Sequence, residues 1–82
     1  MIIVTLLYFE MSIDLQLPTD MPLGDLLVWI LEYVNRLLRE TLTPDSVALV
    51  LNRKEEVIRT DLTLEESGVR NGDYITVLNM NA

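Results

Sequence analysis

The side chains that could do chemistry in this 82-residue chain are almost all carboxylates. Asp61 with Glu65-Glu66, and separately Glu55-Glu56, are the two places where acids cluster. A pair of carboxylates can share acid and base roles, or offer oxygen ligands to a hard cation, only if a pocket holds them and their spacing fits. Neither cluster has EF-hand spacing, and no pocket-forming element accompanies either. The expected reading is a solvated loop in which Thr63 caps a turn and Glu66, three residues on, completes a capping box. Asp73 follows Gly72 and is read as a turn residue opening the last strand. Ser12, Ser46 and Ser67 have no base to activate them, because the chain contains no histidine and no cysteine. Those absences also remove the commonest general base, the thiolate nucleophile, the disulfide framework and the usual transition-metal ligands. Asn71-Gly72 precedes no helix and reads as a turn, not a phosphate cradle. No catalytic residue, cofactor site or metal site is expected.

The composition limits the remaining classes. Thirteen acidic against six basic residues give a net charge of −7. That field repels nucleic acid and anionic membranes. Half of the residues are hydrophobic, and mean hydropathy is +0.30, so the chain has ample apolar surface to bury and disorder is not expected. The surplus points to a protein partner or to self-association. The start, MIIVTLLYF, lacks a basic n-region and meets Glu10 early, unlike a signal peptide. The longest apolar run in the helical segment, Leu26 to Leu31, is far short of the ~20 residues that span a bilayer. A soluble, cytoplasmic protein with one domain over residues 1–82 is the expectation.

The elements follow from periodicity. Ile2 to Phe9 is β-branched and aromatic, apolar on both faces. Ser12 to Leu17 alternates, with Ile13, Leu15 and Leu17 on one side and Ser12, Asp14 and Gln16 on the other. A loop of Glu10 and Met11 makes the two a hairpin in which Val4, Leu6 and Tyr8 lie opposite Leu17, Leu15 and Ile13. Ile3, Leu7 and Phe9 then face outward, while a loop one residue longer reverses the faces. Pro18 ends the second strand, and Pro22 sits in the first turn of a helix running to about Glu40. Leu23, Leu26, Leu27, Ile30, Leu31, Val34, Leu37 and Leu38 form its apolar stripe, with Glu32, Asn35, Arg36 and Arg39 opposite. Gly24 is a weak point in the first turn, and Trp29 and Tyr33 are read as helix-to-sheet packing.

Thr43-Pro44-Asp45 breaks the helix. A third strand covers Val47 to Leu51, a charged turn Asn52 to Glu55, and a short fourth strand Val57-Ile58. A turn of helix over Leu64 to Ser67 is anchored by Leu62, Leu64 and Val69. The last strand runs from Tyr74 to Asn79. The leucine stripe must lie across one face of a mixed sheet, since nothing else in the chain can cover it. Joining the first and last strands in parallel at the centre gives an α+β β-grasp with five strands, in the order β-β-α-β-β-short helix-β.

The outer sheet face is then the candidate partner-binding surface. Ala48, Val50, Tyr74 and Leu78 form an apolar patch together with the outward side of the first strand, and Arg53 and Lys54 supply a polar rim. Exposed apolar patches of this kind mark interfaces. A heterologous protein and a second copy both fit it.

Over its whole length the chain resembles the ubiquitin superfamily. The likeness lies in the hairpin, in L-P-T-D-x-P-L-x-D-L at the start of the helix, in V-A-L-V-L-N, and in L-T-L-E-E-S-G-V-x-x-G-D-x-I, residues 62–75. Gly68 and Gly72-Asp73 look most like the YukD-like branch, small ubiquitin-like proteins encoded with bacterial type VII (WXG100/ESX) secretion systems. The resemblance implies an accessory or regulatory protein that works by non-covalent contact with secretion-machinery components. A similar closing loop occurs in the small ubiquitin-like subunit of toluene-type multicomponent monooxygenases, where the resemblance would imply a structural subunit on a di-iron hydroxylase. Conjugating ubiquitins and sulfur carriers expose a C-terminal Gly-Gly. Here residues 79–82 read Asn-Met-Asn-Ala and Lys54 is the single lysine, so a non-conjugating protein is expected.

Overall fold

The computed structural model describes residues 1–81; Ala82, the last residue of the tail just discussed, lies outside the described residues. The elements are β1 (Ile2–Tyr8), β2 (Met11–Leu17), α1 (Leu23–Leu38), a 3-10 turn (Pro44–Ser46), β3 (Val47–Leu51), β4 (Glu56–Val57) and β5 (Tyr74–Asn79). The sheet has five strands in the order β2-β1-β5-β3-β4. β1 and β5 pair in parallel and every other neighbouring pair is antiparallel. The α+β grasp expected from the sequence is therefore the observed architecture.

The core lies between one sheet face and α1. Val4, Leu6 and Tyr8 of β1, Leu49 and Leu51 of β3, and Ile75 and Val77 of β5 are buried against Leu23, Leu26, Leu27, Ile30, Leu31 and Val34 of α1. The stripe ends at Val34. Leu37 is exposed and Leu38 half-buried, although both lie within α1; Arg39 then takes a left-handed φ of 56° and ends the helix. Leu42 is buried in their place.

Asn35, expected on the solvent side, is half-buried. Its amide nitrogen donates to the Leu42 carbonyl and its oxygen accepts from the Leu42 N–H, both at 2.8 Å. The side chain thereby satisfies backbone groups of the segment leaving the helix.

The hairpin register differs from expectation by two residues. Val4 pairs with Leu15, Leu6 with Ile13 and Tyr8 with Met11, so the loop is Phe9-Glu10. Because the shift is an even number of residues, the inward set is unchanged. The turn falls one residue early because Phe9 accepts a left-handed φ of 51°, with its ring edge-on to Tyr8 at 4.7 Å. An aromatic residue in that backbone region is uncommon, which is why side-chain pattern alone did not place the loop there.

The closing segment between β4 and β5 positions everything else. Its Leu62 and Thr60 carbonyls accept the Leu23 and Gly24 N–H groups at 2.8 Å each, so it supplies the helix cap that no side chain provides. Pro22 is the cap residue, with the helix beginning at Leu23. Gly24 allows this approach: a Cβ there would stand 3.3 Å from the Thr60 carbonyl oxygen. Residues 64–67 form hydrogen-bonded turns and not a helix. The capping box is present nonetheless, with the Thr63 N–H donating to Glu66 Oε1 at 3.0 Å and the Glu66 N–H to Thr63 Oγ1 at 3.1 Å. One strand boundary also moves: β4 is Glu56–Val57, while Ile58 lies beyond it and is buried.

Candidate docking surfaces

The strand registers define the outer sheet face. Val50 of β3 lies opposite Thr76 of β5, which lies opposite Leu7 of β1. Val57 of β4 flanks Val50 on its other side. One row over, Ala48 faces Leu78; in the opposite direction Tyr74 faces Thr5, and Thr5 faces Asp14. Tyr74 and Leu78 are exposed, whereas Ala48 and Val50 are half-buried.

The four apolar residues expected to form the patch do share this face, but not as one unbroken cluster. Thr76 separates Tyr74 from Leu78 along β5, and its hydroxyl donates to Asn52 Oδ1 at 2.6 Å. A second polar tie lies on the other side, where Thr5 Oγ1 donates to Asp14 Oδ1 at 2.7 Å. The outward side of β1 adds Ile3 and Leu7, and Val57 adds an exposed valine that the sequence reading did not assign to the patch.

Arg53 and Lys54, on the turn beside this face, are both exposed, and Arg53 is tied in place. Arg53 is held by the closing segment: its Nε donates to Asp73 Oδ1 at 3.1 Å and its Nη2 to Asp73 Oδ2 at 3.0 Å and to the Gly68 carbonyl at 2.8 Å. Lys54 folds back over Gly68, its Nζ 2.9 Å from where a Cβ on that glycine would sit. Arg53 thereby fastens the β3–β4 turn to the loop before β5, while the exposed Lys54 ammonium lies over that loop.

Asp73, read from the sequence as a turn residue, is one of two buried polar residues among those described. The Arg53 guanidinium, and after it the Arg70 N–H at 2.8 Å, hold its carboxyl below the usual carboxylate range against the opposing effect of burial. Asp61 is held low as well, by hydrogen bonds from Arg59, in an exposed pair on the loop surface. Glu66 is committed to the cap of the turn. These acids therefore have local structural partners and do not converge on a common point. Among the described residues no group of three or more acids is arranged to hold a metal ion.

A second apolar surface was missed at the sequence level. Trp29 and Tyr33, expected to pack between helix and sheet, are 69% and 46% exposed. With Leu15, Pro18, Met21 and Leu26 they line an open groove of about 320 Å³ between β2 and α1. The signal that could have found it is helical spacing: Trp29 and Tyr33 fall on the rim of the stripe, beside Leu26 and Ile30, where a large aromatic overhangs the core edge.

One long helix laid across a five-stranded mixed sheet, with its first and last strands parallel at the centre, defines the protein as a ubiquitin-like β-grasp protein. The chain belongs to the YukD family, described as the YukD protein of the WXG100 protein secretion system (Wss), which it matches over residues 1–77. Among solved structures it is similar to the ubiquitin-like domain of the Mycobacterium tuberculosis type VII secretion system protein ECCD1, with 19% identity and a TM-score of 0.76 over 95% of this chain and 97% of that one. It is also similar to Caldiarchaeum subterraneum ubiquitin, with 18% identity and a TM-score of 0.70 over 95% and 91% of the two chains. A third is ATBAG1 in complex with HSP70, with 15% identity and a TM-score of 0.74 over 96% of this chain but only 40% of that one. At these identities the structural likeness speaks for the fold. Among curated proteins no sequence matches this chain. No helix among the described residues is long and apolar enough to cross a membrane.

Proposed function

We propose that this protein is a non-conjugating, non-catalytic component of a bacterial type VII secretion system that acts in the cytoplasm by docking on other proteins of the apparatus. Membership of the YukD family supports the setting. The single observation that carries the mode of action is the outward apolar face of β3, β5 and β1, on which Val50, Ala48, Leu78 and Tyr74 stand beside Leu7 and Val57. Apolar side chains left exposed or half-buried on one rigid sheet lose water on contact without any chain ordering, which favours association. Thr76 and Asn52 in the middle of that face supply polar atoms for register. On the turn beside it, Arg53, held by Asp73, and the exposed Lys54 supply the polar rim of the docking surface.

The test is Val50→Asp in cells carrying the secretion system. Wild-type protein co-purifies with the membrane-embedded or ATPase components, and the variant, folded by circular dichroism, does not and fails to support secretion. A folded variant that co-purifies and secretes normally overturns the assignment of this face. Light scattering of both proteins over a concentration series separates a heterologous partner from a second copy, since self-association would make wild type dimeric and the variant monomeric.

A further inference from the structure

The groove beside β2 lies next to an unpaired sheet edge, and the two together specify an occupant. β2 is the outermost strand, paired only with β1. On β1, Ile3 and Thr5 turn their backbone toward β5 and the segment leading into it: the Thr5 N–H donates to the Asp73 carbonyl at 3.0 Å, and the Ile3 carbonyl accepts from Gly72 at 2.7 Å. The pairs Thr5–Asp14 and Ile3–Gln16 are therefore the non-hydrogen-bonded ones, and Ser12, Asp14 and Gln16 direct their N–H and C=O groups away from the sheet. Unpaired backbone of this kind is a template for another strand, and an edge seven residues long is long enough to serve as one.

Charge selects the strand. Residues 1–35, which make β1, β2 and most of α1, contain Glu10, Asp14, Asp20, Asp25 and Glu32 and no lysine or arginine. Glu10 and Asp20 lie just beyond the two ends of β2, Asp14 at its centre. A second copy of this chain would bring the same acids; in the symmetric register centred on Asp14 the two carboxylates would stand directly opposite one another.

We propose that the β2 edge and its groove receive an extended, basic segment of a partner protein as a sixth strand of the sheet. The added strand runs antiparallel to β2, so its residues that hydrogen-bond to Ser12, Asp14 and Gln16 share their outer face and carry lysine or arginine there. The alternate residues are apolar and lie over the groove, against Leu15, Met21 and Trp29. The β2 edge and groove are distinct from the apolar patch of Val50, Ala48, Tyr74 and Leu78 in the functional reading above.

Trp29 is the chain's one tryptophan, so its emission reports on the groove directly. The experiment titrates the protein with a set of short peptides alternating valine or isoleucine with lysine, to about millimolar concentration, so that weak binding is still read. The expected result is a blue shift of Trp29 emission and slowed hydrogen exchange at the Ser12, Asp14 and Gln16 amides. N-methylating the lysine residues, which face β2 in the added strand, abolishes binding; N-methylating the apolar residues does not. Replacing lysine by glutamate weakens binding at least tenfold. Trp29→Ala loses the apolar contact but keeps the fold, and weakens binding as judged by amide protection.

Several outcomes overturn the proposal. One is failure of every peptide to move Trp29; another is equal loss on N-methylation of either set. A helical peptide that shifts Trp29 without protecting the three amides would assign the groove to a helix instead. Protection of those amides in a peptide-free dimer would assign it to a second copy. Val50→Asp keeps peptide binding at β2, so failure of the outer-face reading is distinguishable from failure of this one.

Discussion

Arg53 meets Asp73 side-on, Nε at 3.1 Å from Oδ1 and Nη2 at 3.0 Å from Oδ2, so two planar groups twenty residues apart lock the β3–β4 turn to the start of β5. The carboxyl is nearly buried and also accepts the Arg70 N–H. Its folded pKa is held below the ordinary aspartate value, chiefly by the Arg53 hydrogen bond. The unfolded chain therefore binds this proton more readily than the folded one, and stability rises with pH across the interval between the two values. The contribution is complete above the ordinary aspartate pKa and is lost as pH falls through the folded value. Asp73→Asn should lower the melting temperature by several degrees at neutral pH. It should also flatten the acid limb of the stability curve, measured by thermal melts from neutral pH down to the acid transition. An unchanged acid limb would mean that the pair does not form in solution.

Leu27 and Ile30 are buried on the sheet-facing side of α1, while Trp29, between them in sequence, is exposed. Leu27→Ala and Ile30→Ala should each cost about 2–5 kcal/mol by leaving a cavity in the core. Trp29→Ala should change stability by less than about 0.5 kcal/mol, as an exposed substitution does. Urea denaturation of the three variants checks the contrast. A large loss for Trp29→Ala would show that the aromatic closes onto the core and that the groove is filled by this chain itself.

Much of the fold was legible because its signals are periodic. The alternation of Ile13, Leu15 and Leu17 fixed the inner face of β2, and the spacing of Leu23 to Val34 fixed the face of α1. What was not legible depends on backbone geometry that side-chain pattern does not encode. Phe9 in a left-handed turn moved the hairpin loop, Arg39 in the same region ended the helix after Leu38, and Asn35 was drawn inward by Leu42. The candidate surface divides in the same way. The outward set Ala48, Val50, Tyr74 and Leu78 followed from strand alternation, whereas the long-range pairing of Arg53 with Asp73 had no local signal.

Gly24 illustrates the difference as a test. In a helix viewed alone, Gly→Ala in the first turns would stabilise by up to about 1 kcal/mol. Here the added Cβ would sit 3.3 Å from the Thr60 carbonyl oxygen, the same atom that accepts the Gly24 N–H at 2.8 Å. The contact is with backbone, so relief requires the closing segment to give by a few tenths of an ångström while it holds its hydrogen bond to the helix end. Gly24→Ala should therefore lower the melting temperature, and a rise would show that the segment yields freely.

Asn35 and Leu42 provide the last prediction. Both polar atoms of the Asn35 amide engage the Leu42 backbone, and Leu42 itself is buried. Asn35→Ala leaves a donor and an acceptor without partners in a half-buried site, at a cost of about 1–3 kcal/mol. Asn35→Asp keeps the acceptor but sets a carboxylate against the Leu42 carbonyl, a repulsion that Ala does not suffer. The expected order of stability at neutral pH is therefore wild type, then Ala, then Asp, with Asp recovering toward wild type as acid protonates it and restores a donor. Chemical denaturation at neutral and at mildly acidic pH reads both effects. A surface role for Asn35, as the helical pattern alone implies, would leave Asn35→Ala at least as stable as wild type, since Ala is the better helix former.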